Sequence, residues 1–261
     1  MSSFAKKVEK RYNLFFEKIT TNKNGIPNIF SPVFLTHYYI IKTFKPFLNL
    51  SCGIFFDIGS GNKPYSFLFN NHIKKYKGMD YRKIALTEGY SKPEIYGDGQ
   101  RIPLKKNSVD TILCTQVLQY IQYPDCLIKE IGRIIKPDGY IFLNAPQSYP
   151  VHHREYDYYR FTRNGIRDIF ERNDLKIISL EQNGAFWLYI AHMFTHYFTY
   201  RIFRNVPGYF LKSLFGLLKI VLTPLILLFN VICNTCALLA DKFDIEDSFT
   251  LNYTVIAKKE A

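Results

Sequence analysis

Residues 55–64 read Phe-Phe-Asp-Ile-Gly-Ser-Gly-Asn-Lys-Pro. The apolar run Gly53–Ile58 predicts a buried strand, and the glycines at 59 and 61 predict a tight turn into a helix over Pro64–His72. Glycine has no Cβ, so a turn of this kind lets a ligand approach the backbone closely. The stretch therefore predicts the first strand, turn and helix of a ligand-binding α/β fold.

Two further acids stand at the ends of the next predicted strands. The strand Tyr76–Asp80 ends in Asp80, and the strand Glu94–Asp98 ends in Asp98. Asp80 follows Gly61 by 19 residues, the spacing of an acid that accepts hydrogen bonds from both hydroxyls of a ribose. With Asp57, three successive strand ends carry an acid, a more specific pattern than a glycine turn alone.

The rest of the chain continues the alternation of short apolar runs with helical patterns. It predicts further strands and helices at Thr111–Cys114, Pro124–Ile135, Tyr140–Asn144, Thr162–Arg172, Leu175–Leu180 and Phe249–Ala257. Such alternation is typical of a mostly parallel sheet, so we expect a Rossmann-like α/β fold with seven strands. We expect an N-terminal helical cap over 1–50, a core over 51–182, a hydrophobic helical insertion over 183–245 and a final strand within 246–261.

The turn chemistry narrows the cofactor class. A dinucleotide site requires a third glycine where this chain has Pro64, whose ring lacks the N–H that a diphosphate would use. Asp57 places a negative charge beside the turn, which repels a phosphate and attracts an ammonium group. The pattern favours a cofactor with a ribose and an ammonium but no phosphate, and S-adenosyl-L-methionine (SAM) meets that description.

At these residues the sequence resembles a known family. Residues 55–65 are similar to the first motif of class I SAM-dependent methyltransferases, in the small-molecule branch that includes quinone-biosynthesis and cell-envelope enzymes. Residues 97–104 with 108–110, and residues 127–139, resemble the next two motifs of that branch. The resemblance spans about 50–182 and resumes at Phe249–Ala257, which would be the antiparallel last strand. It is specific for the fold and the cofactor, but not for the substrate.

The resemblance implies a role for each matching position. Asp57 would orient the methionyl amine, Asp80 would bind the ribose hydroxyls, and Asp98 would accept from the adenine amino group. The other positions expected in the cofactor site are Gly59, Ser60, Gly61, Tyr81, Gly99, Thr115 and Gln116. Two positions depart from the pattern: Lys63 replaces a third glycine, and Gln119-Tyr120 replaces a frequent acid–His pair, which removes a candidate base.

The segment 152–162 follows the fifth predicted strand, at the edge of the sheet where ligands bind in such folds. Similar Tyr-Asp-Tyr segments occur in bacterial members of the family. We expect His153 to be a general base, with Asp157 as second candidate. Tyr156, Tyr159 and Arg160 would shape an aromatic or anionic substrate pocket. The alternative is a surface loop whose aromatic side chains pack on the next helix.

The positive charge is placed beside the most apolar part of the chain. The net charge is +12, residues 201–219 carry four basic residues and no acid, and residues 220–240 carry no charged residue. This arrangement favours peripheral or monotopic contact with an anionic membrane through residues 183–240. If Phe249–Ala257 returns to the sheet, a single membrane crossing is excluded. A soluble helical cap remains the alternative.

We therefore expect SAM-dependent methylation, with oxygen as the preferred acceptor atom, of a small or lipid-linked acceptor near the inner face of a membrane. Five irregularly spaced cysteines and a polar N-terminus favour the cytoplasm. No metal site is expected from His192 and His196 or from Cys233 and Cys236, and no nucleic acid is expected as a partner. Two other classes stay open: a non-catalytic partner subunit with this fold, and a nucleic-acid methyltransferase or binder.

Overall fold

The computed structural model describes residues 3–89, 92–201, 209–245 and 247–260. The chain forms two compact units: residues 1–38 with 184–249, and residues 39–183 with 250–261. We call the first the helical unit and the second the sheet unit. The division differs from the expected N-terminal cap of 1–50, because residues 39–50 group with the sheet.

The strands are β1 (Ile54–Ile58), β2 (Lys75–Asp80), β3 (Ile95–Tyr96), β4 (Val109–Thr115), β5 (Ile135–Pro146), β6 (Leu175–Gln182) and β7 (Asn252–Lys259). The helices are α1 (Ser3–Thr20), α2 (Phe34–Phe44), α3 (Ser66–Phe69), α4 (Arg82–Glu88), α5 (Pro124–Ile134), α6 (Arg163–Glu171), α7 (Phe186–His196) and α8 (Tyr209–Ala240). A wider helical turn, Tyr197–Arg201, continues α7.

The seven strands form one sheet in the order β3-β2-β1-β4-β5-β7-β6. β7 is antiparallel to both β5 and β6, and the other pairs are parallel. This arrangement confirms the predicted Rossmann-like fold with an antiparallel last strand. The helix after the glycine turn is shorter than predicted, because Asn70 and Asn71 follow α3 in turn conformation and such side chains compete with the helical backbone.

Buried apolar side chains cover both faces of the sheet. On one face Phe55 packs with Phe69, and Phe44 meets Phe142 edge to face with ring centroids 5.5 Å apart. On the other face, Phe56 and Ile58 join a core that includes the α5 side chains Leu127, Ile128 and Ile131. This double burial explains the continuous apolar runs of the strands and fixes the positions of their carboxyl ends.

The helical unit contains α1, the first part of α2, α7 and α8. α7 and α8 pack against each other, and α1 contacts α8. The helical stretch Ile220–Phe243 is, by length and composition alone, long and apolar enough to cross a bilayer. Only 22% of its most apolar window is buried within the protein, whereas a core helix of a soluble protein is mostly buried.

Candidate active site

The expected cofactor residues meet where the strand order reverses. The chain runs from β1 outward to β2 and β3, then returns to place β4 on the other side of β1. The carboxyl ends of β1 and β4 therefore flank the crevice in which open α/β sheets bind ligands. Asp57 and Gly59 lie at the end of β1, and Thr115 is the last residue of β4.

The turn after β1 requires glycine on steric grounds. Gly59 and Gly61 have φ values of +69° and +49°, in the left-handed region that side chains rarely adopt. A Cβ on Gly59 would lie 2.2 Å from Cγ2 of Val117. The amides of Gly59 and Ser60 both donate to the carbonyl of Met79, at 2.8 and 3.0 Å. The backbone of the turn is thus held against the end of β2.

Asp80 ties this turn to the start of α4. Its Oδ2 accepts from the amide of Gly61 at 2.9 Å, and its Oδ1 accepts from the amide of Tyr81 at 2.7 Å. Burial raises the pKa of Asp80, while these two hydrogen bonds favour the charged form and oppose the shift. Each carboxylate oxygen retains lone-pair capacity, so a carboxylate that accepts two ribose hydroxyls is compatible with this geometry.

Asp57 is buried beside the turn with half of its carboxylate unused. The hydroxyl of Tyr76 donates to Oδ2. Among the described residues, Asp57 Oδ1 and Ser60 Oγ have no hydrogen-bond partner. Burial raises the pKa of Asp57 to about 7, and the Tyr76 hydrogen bond opposes this. Buried polar atoms without partners are rare in native proteins, so these two oxygens indicate a place for an external group.

Asp98 and Gly99 follow β3 on the adenine side of the expected site. Asp98 is exposed, and its Oδ1 accepts from the amide of Gln100 at 2.9 Å in a local turn. Gly99 is buried, and a Cβ there would lie 3.2 Å from a methyl carbon of Leu127. In the structure Asp98 therefore stabilises its own turn, and its contact with adenine stays a prediction.

A group of buried amide side chains continues the site beyond β4. Gln116 has a φ of +57°, and its Nε2 donates to Oδ1 of Asn144 at 2.6 Å and to Oδ1 of Asn252 at 3.0 Å. Asn144 donates to Thr254 Oγ1, which donates to Oδ1 of Asn183, both at 2.9 Å. We call Gln116, Asn144, Asn183 and Asn252 the amide cluster.

The amide cluster retains donors that nothing in the described chain satisfies. The Nδ2 atoms of Asn183 and Asn252 have no partner among the described residues, although both side chains are buried. Of these four residues, only Gln116 is predicted from the sequence as a site residue. Asn144, Asn183 and Asn252 come from three different strand ends, and a polar residue at the end of a strand was the only available signal.

The loop after β5, residues 147–162, is organised by an ion pair. Both terminal nitrogens of Arg160 donate to the carboxylate of Asp157, with Nη2 lying 2.9 Å from Oδ2. Nη2 also donates to the carbonyl of Tyr149. Asp157 accepts in addition from the amide of His152 at 2.9 Å, and the Arg160 hydrogen bond lowers the pKa of Asp157. In this structure Asp157 and Arg160 hold the loop through their ion pair, and their expected roles, as second candidate base and as part of the substrate pocket, stay predictions.

The other loop residues make contacts with the segment that follows β2. Nδ1 of His153 lies 3.6 Å from Oε1 of Glu88, and Tyr156 packs edge to face on Tyr81 with centroids 6.2 Å apart. Lys83 Nζ lies 5.3 Å from the centre of the Tyr156 ring. Because β1 and β4 stand between β2 and β5, a loop that begins after β5 and contacts residues after β2 passes over their carboxyl ends. Tyr159 remains partly exposed, with its hydroxyl donating to the carbonyl of Gln122 at 3.0 Å.

Among the described residues, no group of three or more His, Cys, Asp and Glu side chains could hold a metal ion. His192 and His196 lie on α7, in the helical unit, and both are buried.

A family model described as a methyltransferase domain matches residues 56–143. This range runs from β1 into β5 and includes the glycine turn, Asp80, Asp98 and Gln116. The chain carries a class I SAM-dependent methyltransferase domain. The match also confirms SAM as the expected cofactor, and the free oxygens at Asp57 and Ser60 fit its amino-acid end.

Solved structures share the fold of this methyltransferase domain at low identity. One match is the complex between the Haloferax volcanii Trm112 methyltransferase activator and a protein assigned as a methyltransferase. It has 13% identity and a TM-score of 0.52, over 100% of this chain and 99% of the matched chain. A Galdieria sulphuraria protein assigned as a sarcosine dimethylglycine methyltransferase matches with 11% identity and a TM-score of 0.52, over 86% and 84%. The cyclase SpnF matches with 15% identity and a TM-score of 0.52, over 87% and 83%.

These identities establish the fold alone, and the inclusion of a cyclase illustrates that one fold serves different reactions. No curated protein matches the sequence significantly. The choice of acceptor therefore depends on the residues of the methyltransferase domain itself.

Proposed function

We propose that the protein transfers a methyl group from SAM to an oxygen atom of a small or lipid-linked acceptor, at the cytoplasmic face of a membrane. The observation that carries the proposal is the pair of buried oxygens, Asp57 Oδ1 and Ser60 Oγ, beside a glycine turn that Asp80 fixes. A buried carboxylate with one free oxygen suits a ligand that brings a positive charge.

The bound cofactor supplies an electrophilic methyl group on a positively charged sulfur. Asp57 would bind the ammonium group through its free oxygen, and the ammonium would in turn stabilise the charged form of this carboxylate. Asp80 would accept the ribose hydroxyls, since the amides of Gly61 and Tyr81 already orient its two oxygens. The contribution of these residues is mainly to position the methyl group, which is the largest requirement of an in-line transfer.

The amide cluster is the best candidate for the acceptor side. Its free donors at Asn183 and Asn252 can bind a neutral oxygen, and its members carry no charge. Arg160 is held by Asp157, and Arg163 donates to the carbonyl of Leu180 and lies over the ring of Tyr253. These engagements favour a hydroxyl-bearing acceptor over one recognised through an anionic group, with Tyr156 and Tyr159 as its apolar walls.

A hydroxyl acceptor must lose its proton when its oxygen bonds to the methyl carbon. His153 is the group proposed to take it. Glu88 near Nδ1 favours the tautomer with the proton on Nδ1, which leaves Nε2 free to accept. His153 also has a φ of +49°, a backbone conformation that costs energy for a side-chain-bearing residue and is concentrated at functional sites.

The proposed location rests on the apolar stretch Ile220–Phe243, of whose most apolar window only 22% is buried within the protein. A lipid-linked acceptor would then reach the methyltransferase domain from the membrane surface. The irregular spacing of the five cysteines favours a reducing compartment, and hence the cytoplasmic side.

Calorimetric titration of the purified protein with SAM and with S-adenosylhomocysteine tests the proposal. We expect binding that weakens at least tenfold, about 1.4 kcal/mol, in Asp80→Ala and in the isosteric Asp80→Asn. Asp125→Ala is the matched control, because Asp125 forms an exposed ion pair with Arg172 on the outer side of α5. A folded protein that binds neither molecule would contradict the proposal and favour the non-catalytic partner subunit.

A further inference from the structure

In α7 and α8 of the helical unit several polar side chains are buried, and the large exposed side chains are apolar or aromatic. In α8 the buried side chains include Thr223, Asn230 and Asn234. The exposed side chains on the other face form a stripe that we call the outer stripe: Val221, Leu225, Leu228, Ile232 and Leu239. Their spacing of four, three, four and seven residues places them along one side of the helix.

The amide nitrogens of the two buried asparagines and the hydroxyl of Thr223 have partners within the unit, whereas Asn234 Oδ1 has none among the described residues. Asn230 Nδ2 donates to the carbonyl of Phe30 at 3.0 Å, and Asn234 Nδ2 donates to those of Ile29 and Ser31 at 2.9 and 3.0 Å. Thr223 Oγ1 lies 3.2 Å from the hydroxyl of Tyr12 in α1. Polar groups that find partners inside, beneath an apolar exterior, are the arrangement that a lipid environment demands.

α7 and the turn after it repeat the pattern. Their buried side chains include His192, Thr195 and Thr199. Thr195 donates to the carbonyl of Pro32 at 3.0 Å, and Thr199 donates to Asn230 Oδ1 at 3.2 Å. The exposed side chains are aromatic: Trp187, Phe194, Tyr197, Phe198 and Tyr200. Trp and Tyr are the residues enriched at the boundary between lipid and water, because they combine an apolar ring with a polar atom.

The charges of the unit complement an anionic surface. Between residues 182 and 240 the chain has no acid, and its four basic residues are Arg201, Arg204, Lys212 and Lys219. The contact of Tyr12 with Thr223 joins the basic helix α1, whose Arg11 is exposed, to α8. The acids Asp241 and Asp244 begin only where α8 ends. Basic residues beside an apolar stripe are what attracts a helix to anionic lipid headgroups.

We infer that the helical unit docks on an anionic bilayer with α8 lying in the plane of the interface and the outer stripe in the acyl chains. An orientation across the bilayer conflicts with the contacts of Asn230 and Asn234. These residues lie in the middle of Ile220–Phe243 and hold residues 29–31, so a crossing helix would carry that loop into the hydrocarbon core. The one-sided outer stripe likewise suits a helix that is half immersed. This inference stands on the helical unit alone and does not depend on the proposed methyl transfer.

Trp187 can serve as an intrinsic fluorescence probe, because it is the single tryptophan of the chain and is 51% exposed on α7. The full-length protein is mixed with vesicles of phosphatidylcholine alone or with one third phosphatidylglycerol. We expect a blue shift of the Trp187 fluorescence, binding at least tenfold tighter to the anionic vesicles, and a loss of that preference at high salt. Lipids brominated near the glycerol should quench the fluorescence more than lipids brominated near the chain ends.

The variant that tests the outer stripe is Leu225→Ser combined with Leu228→Ser and Ile232→Ser, and it should bind anionic vesicles at least tenfold more weakly. These side chains are exposed, so circular dichroism should be unchanged. Leu86→Ser is the control, because Leu86 is equally exposed on α4 of the sheet unit.

Three outcomes would overturn the inference. The first is negligible binding to both vesicle types. The second is strongest quenching by the deepest bromines, which would indicate a helix that crosses the bilayer. The third is a dimer in light scattering that the triple variant dissociates without any vesicle binding, which would assign the outer stripe to a second copy of the chain.

Discussion

Tyr76 donates a hydrogen bond from its hydroxyl to the buried carboxylate of Asp57, which lies on the neighbouring strand β1. The two strands pair in parallel, so this contact joins the core of the sheet to the cofactor turn. The hydrogen bond satisfies one carboxylate oxygen of Asp57 and leaves the other for a ligand. The charge of Asp57 should therefore depend on whether a ligand is bound at that second oxygen.

The affinity for SAM should therefore depend on pH around neutrality. Burial places the pKa of Asp57 at about 7, so the carboxylate is largely protonated at pH 6 and largely charged at pH 8. An ammonium binds the charged form, so we expect affinity to increase from pH 6 to pH 8 by up to about tenfold. Calorimetry across this range measures it, and Asp57→Asn should show a flat profile. A wild-type profile as flat as that of Asp57→Asn would refute the assigned contact.

The free protein should show the opposite trend in stability. The folded pKa of Asp57 lies above its ordinary value near 4, so the folded state binds more protons than the unfolded state between about pH 4 and pH 7. The free energy of unfolding should decrease as pH increases through this window, by an amount on the order of a few kcal/mol. Urea unfolding at several pH values tests this, with Asp57→Asn expected to remove most of the slope.

Gly59→Ala should destabilise the protein by roughly 2–4 kcal/mol. The substitution forces a Cβ into the left-handed region and against Val117 Cγ2. The double variant Gly59→Ala/Val117→Ala lacks the clashing Cγ2 methyl. Its free energy of unfolding should therefore be about 1 kcal/mol higher than the sum of the two single changes predicts. Urea unfolding of all four proteins checks this coupling. Strict additivity would mean that backbone strain alone accounts for the cost.

Arg160→Met should loosen the loop after β5 by leaving the Asp157 carboxylate without its cation. The expected loss is roughly 2 kcal/mol, since only 2% of the Asp157 side chain is exposed. Arg160 lowers the pKa of Asp157, so its stabilisation is present above pH 4 and disappears as pH falls through the lowered pKa. The variant should accordingly lose part of the wild-type sensitivity to acid. Thermal unfolding of the wild type and of Arg160→Met at pH 3 and pH 7 measures this, and the difference between the two proteins should be smaller at pH 3.

Tyr156→Ala should speed release of S-adenosylhomocysteine severalfold, because the edge-to-face contact with Tyr81 holds the loop over the crevice. Glu155→Gln is the matched control. Its ion pair with Lys83 is largely exposed, and such pairs contribute little to stability. Stopped-flow displacement measures both rates. Equal rates in wild type and Tyr156→Ala would mean that the loop does not limit release.

Much of the fold and of the cofactor site could be predicted from the sequence because the signals are local. The strand ending at Ile58, the left-handed glycine turn and Asp80 each follow from a few adjacent residues. Their arrangement at one edge follows from the parallel order of the strands. His153 was also found from its position after β5, and its role stays a prediction.

Other parts of the site depend on contacts that no local pattern specifies. The residue types of Asp157 and Arg160 predict a base and a substrate-pocket residue, but no local pattern predicts the ion pair that joins them in the loop. Asn144 and Asn252 accept from the same amide of Gln116 because β7 pairs with β5, across more than a hundred residues of chain.

The fold class, the cofactor and the presence of an apolar segment follow from the order of the amino acids, since these depend on composition and on spacing along the chain. The folded chain is needed to know which oxygens near Asp57 remain free, which amides form one cluster, and which side of α8 faces outward. Those properties depend on burial and on partners. A side chain's partners are chosen by the packing of segments that are distant in sequence, as Asn234 with Ile29 illustrates.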